Sequence, residues 1–527
     1  MVVHDEVRTA ELVACLSLAT DLALGLPREH GLESAIIGAR LSRGLGVDDH
    51  TAAQAYYGCL LYYIGCTADA EISAALFPWG TLLENFNPVI YGSPGEAVRG
   101  VVRSIPAPEA TGLTRVLQIA RTLPRAMRGH PAHMTAMCEV AQMLGERIGL
   151  PASIHGLFGQ LTERWDGKGG LHGLKGDAIP LALRIVSVAR DVSMQKWVGG
   201  VEYAVDIIHK RAGGGHDPHV AEYFCAHADE VVPGAREPLW DVVLSCEPGE
   251  PLTLRGSAID EALAAMGDFA DLAAPCLSGH SDGVARLTQA AAKRMGLDAE
   301  AQRDVVRAAR VHDLGRVAVS PAVWEKPGPL TADEREQVRL HAYHTERLLA
   351  SSPFLARLAA TASAHHERCD GSGYHRGVGV AALSPAARLL AVADAYHTMT
   401  EPRPHLPATS LPDAAAALRA HGRDGRLDAE AVHAVLDASG QAPPRRRVHP
   451  AGLTDREVEV LGLLAHGFQI KQIGRRLGIS TKTASRHVQN IYPKIGVSTR
   501  AAAAVFAMQH GLAGWGERPI VTERPGS

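Results

Sequence analysis

Apolar residues recur three and four positions apart along much of this chain, the rhythm of a helix that buries one face. "DVVRAARVHDLGRV" (304–317) shows it. "TKTASRHVQNIY" (481–492) places Ala484, Val488 and Ile491 on one face, with Lys482, Ser485, Arg486 and Gln489 elsewhere. Thr454 followed three positions later by Glu457 predicts a capping box at a helix start, Gly467 its end and Ser480 a further cap. The segment 453–512 therefore divides into four short helices. Two stretches break the rhythm, "CEPGEPLTLRG" (246–256) and "GQAPPRRRVHP" (440–450), whose Pro, Gly and charge content predicts exposed connections. The expectation is an all-α protein with a region at 1–245, a middle domain at 257–440, a linker at 441–452 and a small domain at 453–515.

The first two regions repeat one another. A shift of 250 takes "LPREHGLE" (from 26) to "CLSGHSDG" (from 276), His30 to His280, Gly46 to Gly296, and "LYYIGC" (61–66) to "VHDLGR" (311–316). A shift of 204 takes "TERWDGKGG" (from 162) to "HERCDGSGY" (from 366) and "RIVSVARDV" (from 184) to "RLLAVADAY" (from 388). The two regions are thus predicted to be duplicated helical domains, the first longer between its motifs.

Composition narrows the class. The chain has 527 residues, 46% hydrophobic and 21% charged, with few aromatics, which suits a soluble globular protein of several domains. Acidic residues stand at the start where a secretory signal would be basic, and Asp21 interrupts the apolar stretch at 12–26. No run of about 20 apolar residues is present, so no membrane partner is expected. Eight cysteines without a C-x-x-C pair point to free thiols in the cytoplasm. Residues 445–500 hold eleven Lys/Arg against three acids, a balance of +8 within a chain of net charge −4, leaving −12 elsewhere. A compact basic module on an acidic protein predicts a polyanionic partner for that module.

The middle domain carries His280, His312-Asp313, His341, His365-His366 and Asp394 at spaced positions. Imidazole with carboxylate is a ligand set for Mn, Fe, Zn and similar divalent ions, and an acid beside a ligating histidine can bridge two of them. The first copy is an internal control. It has Tyr62, Tyr63, Leu161, Thr162 and Arg190 at the matched positions and keeps only His30, so these positions serve chemistry rather than packing.

"VHDLGR", "HHERCDGSGY" and "AVADAYHTMTEPRPH" resemble the HD-GYP family, a helical subgroup of the HD metal-dependent phosphohydrolases whose usual substrate is cyclic di-GMP; the match covers 270–410. The resemblance implies that His280, His312, Asp313 and Asp394 hold the basic metal site. It implies that His341, His365 and His366 complete a second position with Asp313 bridging, giving two divalent ions such as Fe or Mn. It places Asp313 and Arg316 at the catalytic centre, and Arg316, Tyr374 and Arg403 facing substrate, where a guanidinium grips a phosphate well. The chain departs from the family at Arg316 (usually Lys), at His375 (usually Pro), at "HAYHT" around His341, and at Cys276 where members with two or three metals carry Glu. Both a hydrolase and a non-catalytic ligand sensor therefore stay open for this domain. For the degenerate first copy, scaffold, dimer surface and pocket for another signal stay open.

The segment 453–512, with "LT.RE.EVL" and "H...IY.K.GV", resembles the LuxR-type helix-turn-helix domain, in which one helix enters the major groove of double-stranded DNA. By that resemblance Lys482, Thr483, Arg486 and Gln489 face the groove, and Lys471, Lys494 and Arg500 face phosphates. Such domains commonly bind as pairs, so a homodimer is expected, through "RAAAAVFAMQHGL" or the duplicated region. The combined expectation is a cytoplasmic transcriptional regulator that hydrolyses, or alternatively senses, a cyclic dinucleotide or other phosphoester.

Overall fold

The computed structural model describes residues 5–69, 85–107, 110–404, 407–440 and 449–514. It is helical almost throughout and divides into two compact units, Met1–Ala262 and Leu263–Ser527. Most of the expected linker, 441–448, lies outside the described residues, as does residue 515.

The main helices of the first unit are α1 (Thr9–Leu24), α2 (His30–Gly44), α3 (Asp49–Leu60), α4 (Gly112–Arg147) and α5 (Leu181–Arg211). One element stands outside an all-α description: β1 (Glu6–Arg8) pairs antiparallel with β2 (Thr253–Arg255), Val7 opposite Leu254. Leu254 is buried between exposed Thr253 and Arg255, so part of the segment read as an exposed break is a strand. From α6 (Ser257–Asp271) the chain continues into the second unit, with α7 (His280–Arg294), α8 (Ala299–Val311), α9 (His341–Leu349), α10 (Pro353–Ala362) and α11 (Pro385–Thr400). The C-terminal part adds α12 (Asp455–Ala465), α13 (Ile470–Arg476), α14 (Thr481–Ile495) and α15 (Arg500–Gln509). The capping box forms as expected: Thr454 Oγ1 accepts from Glu457 N at 3.3 Å, and Glu457 Oε2 accepts from Thr454 N at 2.8 Å. Ala484, Val488 and Ile491 are buried.

The repeat seen in the sequence is a repeat in structure. Helix α2 and helix α7 have identical bounds after a shift of 250, and α5 and α11 start at positions 204 apart. Three polar devices that hold the fold recur with them. Asp48 and Asp298 cap α3 and α8, accepting from Thr51 N at 2.9 Å and Ala301 N at 2.8 Å. Asp21 and Asp271 accept from the backbone at the start of α2 and α7, from Gly31 N at 3.1 Å and Ser281 N at 2.9 Å. Glu163 receives His172 N and Leu174 N at 2.9 and 3.0 Å, and Glu367 receives Arg376 N and Val378 N at 2.7 and 3.1 Å. Each of these two glutamates closes one loop by satisfying two backbone donors.

The first unit fills its equivalent of the metal position with a cation of its own. Buried Arg190, matched to Asp394, lies over the rings of Tyr62 and Tyr63 (both 5.0 Å) and Tyr91 (5.4 Å). Its Nε donates to Tyr63 OH at 2.5 Å and its Nη2 to Asn87 Oδ1 at 3.1 Å. Tyr91, which the shift of 250 takes to His341, shares a hydrogen bond with Tyr62 OH at 3.0 Å. His30 bonds Ser193 Oγ through Nδ1 at 2.8 Å.

In the second unit, the chain just before α7 packs on the end of α12. Ser278 Oγ donates to Ala465 O at 3.0 Å. Gly467, at φ 81°, lies so close to Pro275 that a Cβ there would stand 2.7 Å from the Pro275 Cβ. Glycine suits this position on both counts.

Burial, reinforced by the Arg190 charge, pushes His30 down from 6.5 to about 3. The unfolded chain therefore takes up a proton that the folded unit refuses. The contribution of neutral His30 is complete above pH 6.5 and is lost as pH falls toward 3. Chemical denaturation from pH 7 to 4 should show His30→Gln losing less stability than the parent chain, the two differing by at most about 1.4 kcal/mol per pH unit; parallel curves would contradict this.

Candidate metal centre and DNA-binding face

Seven ionisable side chains from five helices converge in the second unit. His280 is the first residue of α7; His312 and Asp313 follow α8 as the chain enters a 3-10 turn (Leu314–Ala318); His341 opens α9; His365 and His366 follow α10; Asp394 lies within α11. Gly279, at φ 83°, makes the turn that aims His280 inward. Its counterpart in the first unit, Glu29, adopts φ 64°.

Asp313 is the hub. Its Oδ2 lies 2.9 Å from His312 Nε2 and 3.3 Å from His280 Nε2, and its Oδ1 lies 3.3 Å from both His341 Nε2 and His365 Nε2. Asp394 Oδ1 lies 3.3 Å from His280 Nε2 and 3.8 Å from His312 Nε2, and its Oδ2 lies 3.6 Å from His366 Nδ1. Candidate ligand atoms fall into sets within 4.8 Å of one another: His280, His312 and Asp394; His312, Asp313 and His365; His341, His365 and His366. All seven expected metal-site residues are thus brought together, on two sides of one carboxylate.

The donor set fits divalent ions. Asp313 Oδ1 and Asp394 Oδ2 are buried and make no hydrogen bond among the described residues, a costly state for a carboxylate unless a cation faces it. Burial alone would raise Asp313, but the Arg316 guanidinium and the His312 and His280 imidazoles outweigh it and hold the carboxyl well below its usual range. His312 is raised to about 9, the charge and hydrogen bond of Asp313 overcoming burial, whereas burial pushes His365 down to about 4. One side of Asp313 is thus rich in charge, and the other carries His365, which burial keeps neutral.

Arg316 is buried on the charged side. Its Nη2 lies 2.7 Å from Asp313 Oδ2 and 3.4 Å from His280 Nε2, and its guanidinium stacks over Trp324 at 5.5 Å. Its Nε and Nη1 make no hydrogen bond among the described residues. Tyr374 stacks on His366 with centroids 4.6 Å apart. Arg403 donates from Nη2 to Glu401 Oε2 at 3.0 Å. Cys276 stands outside the ligand sets, its thiol pushed up to about 12 mainly by burial. Glu401, His397, Trp324 and Thr345 were not singled out from sequence. Thr345 joins two stretches of the site wall, donating to His312 O at 3.0 Å and accepting from Gly315 N at 2.9 Å.

On the C-terminal helices, Lys471, Lys482, Thr483, Arg486 and Gln489 are exposed on α13 and α14. Lys494 and Arg500 are engaged within the domain. Lys494 Nζ pairs with Glu457 Oε2 at 2.7 Å, and Arg500 Nη2 donates to Phe468 O. Ala501–Met508 are all buried, so α15, a candidate dimer surface from sequence, is already covered within the chain.

With this geometry, residues 265–431 match the family model "HD domain", and residues 451–507 match that of "Bacterial regulatory proteins, luxR family". The middle of the chain thus carries an HD domain. More particularly, the chain joins this HD domain to a C-terminal domain of the luxR family of bacterial regulatory proteins. A Vibrio cholerae protein named 3'3'-cGAMP-specific phosphodiesterase 3 is 27% identical over 450 residues, 82% of this chain and 95% of the relative. The cyclic di-GMP phosphodiesterase response regulator RpfG of Xanthomonas campestris pv. campestris is 37% identical over 153 residues, 28% of this chain and 40% of RpfG. Among solved structures, a cyclic GMP-AMP specific phosphodiesterase of V. cholerae superposes with a TM-score of 0.58 at 23% identity, covering 83% of this chain and 99% of that one, a likeness of fold. No helix among the described residues is long and apolar enough to cross a membrane.

Metal content offers a direct check. Elemental analysis of the purified chain should find a divalent transition metal that is lost in the His312→Ala/Asp313→Ala variant and kept in Tyr62→Phe/Tyr63→Phe. Equal metal in all three proteins would remove this site from consideration.

Proposed function

We propose that the chain is a metal-dependent phosphodiesterase of cyclic dinucleotides that also binds double-stranded DNA and regulates transcription in the cytoplasm. The carrying observation is the convergence of His280, His312, His341, His365, His366 and Asp394 on the buried carboxylate of Asp313, with Arg316 beside it. Two divalent ions, Fe or Mn, held by these residues supply Lewis acidity toward a phosphoryl oxygen and lower the pKa of water. Asp313 would serve as a ligand to both. Arg316 and Arg403 orient the phosphates as charge-assisted donors, Arg316 through its unused Nε and Nη1. Tyr374 lines the substrate side. The relatives named for 3'3'-cGAMP and cyclic di-GMP support a cyclic dinucleotide as substrate.

In this reading residues 1–245 are a degenerate copy serving as scaffold, 257–440 the hydrolase, 441–452 a linker and 453–515 the DNA-binding module. Lys482, Thr483, Arg486 and Gln489 face the groove and Lys471 a phosphate. Lys494 and Arg500 hold the module together and reach phosphates only from the edge of that face. A homodimer pairs through the duplicated helical region, α15 being covered. The Ser278–Ala465 hydrogen bond joins the loop before His280 to the module, giving site occupancy a route to DNA affinity. One observation favours a non-catalytic sensor instead: Arg316 Nη2 is 2.7 Å from Asp313 Oδ2, a fixed cation competing for the bridging carboxylate.

Chromatography of 3'3'-cGAMP and cyclic di-GMP incubated with the metal-loaded chain should show linear dinucleotide accumulating, at least about 100-fold slower in Asp313→Asn because a group central to the reaction is removed. No turnover, together with dinucleotide-dependent DNA affinity, would decide for the sensor. Operator affinity should fall steeply with salt, Lys471→Ala should flatten that slope by about 1, the share of a single phosphate–cation pair, and Arg486→Ala should relax the preference for operator over unrelated DNA; an unchanged slope and an unchanged preference would move the binding face elsewhere.

A further inference from the structure

Glu401 is absent from the expected ligand set, yet it is buried against it. Its Oε2 lies 2.8 Å from His280 Nδ1 and 3.0 Å from Arg403 Nη2, and its Oε1 lies 3.2 Å from His397 Nδ1. The other site histidines show why His280 needs such a partner. His312 and His365 bond through Nδ1 to the carbonyls of Ala309 and Ala362, at 2.8 and 2.7 Å, and His341 bonds likewise to Val338. His312 and His365 follow α8 and α10, and His341, as it opens α9, follows the helix Ala332–Arg339, so for each a carbonyl three residues back is at hand. His280 opens α7, where the preceding chain is turning through Gly279, and its orienting acceptor comes from 121 residues away.

Resting on the metal-centre reading above, we propose that Glu401 is the positioning residue of His280. It fixes the tautomer that turns Nε2 toward Asp313 and Asp394, and through Arg403 it ties the phosphate-facing guanidinium to that ligand. A carboxylate behind a ligating imidazole also makes it a stronger base than a peptide carbonyl does, which raises affinity for the ion. The shared oxygen gives the device its second half. Arg403 and His280 draw on the same Oε2, so a phosphate that pulls Arg403 away leaves the full carboxylate to His280.

The test is titration of the metal-stripped full-length chain with Mn²⁺ against a competing chelator. Glu401→Gln should weaken Mn²⁺ binding about 10- to 100-fold, Glu401→Asp less, and His280→Ala should abolish the tight site. In the double variant His280→Ala/Glu401→Gln, the second change should cost nothing further. Arg403→Ala, which leaves the full carboxylate to His280, should not weaken Mn²⁺ binding and should raise KM for cyclic di-GMP rather than lower kcat. Wild-type affinity in both Glu401→Gln and Glu401→Asp would overturn the proposal, as would equal losses from Glu401→Gln with and without His280. Mn²⁺ binding unchanged by His280→Ala would instead overturn the underlying metal reading. Circular dichroism of each variant separates loss of the ligand from loss of the fold, and a misfolded Glu401→Gln leaves Glu401→Asp and the Arg403 split to decide.

Discussion

Two carboxylates buried away from water dominate the second unit. Taking an ion into a protein interior costs several kcal/mol unless charge and hydrogen bonds are arranged to meet it, and Asp313 and Asp394 are both buried. Four helices end or begin around them, and a fifth carries Asp394 along its length, so that imidazoles, one guanidinium and the ions that fit the remaining oxygens can meet that demand. The loops carrying those side chains are closed by further acids, Asp271 and Glu367, which bind backbone donors rather than cations. The fold thus uses its acids in two ways, some committed to backbone geometry and some left for chemistry.

The first unit shows what the same architecture does without that demand. It keeps the backbone-binding acids Asp21, Asp48 and Glu163, so loop closure and helix starts are common to both copies. Where the second copy has a carboxylate calling for a cation, the first has the cation Arg190, met by tyrosine faces and hydroxyls. His30 and His280 occupy matched positions and shift in opposite directions: burial and Arg190 lower His30, whereas Glu401, Asp313 and Asp394 raise His280 against its burial and Arg316. Both histidines are buried, so the neighbouring carboxylates make the difference between them.

Much of this was readable in the chain. A constant offset carries helix bounds with it because inserting even one residue rotates a helix face by about 100°, so the two copies could be laid over one another before any coordinate. The ligand set was legible because six of its seven residues change between copies while the apolar pattern does not. Other features lacked a local signal. Glu401 looks like an ordinary surface acid, and only folding brings it to His280. Lys494 and Arg500 display charge in the sequence but not the partners that occupy it. The β1–β2 ladder has three residues a side, too short for a period of two to stand out. Tyr91 lies just before the added residues of the first copy, where no motif marks its match to His341.

The direction of the helices at the metal centre has a consequence of its own. His280 and His341 open α7 and α9, while His312 and His365 follow the ends of α8 and α10. A helix carries about half a positive charge at its start and half a negative charge at its end. The pocket is therefore polarised before any ligand arrives. Its carbonyl ends favour cations near His312 and His365, and its amide end near His280 favours an anion. Ion and anion enter a field whose two poles are already set by the order in which the chain visits the site.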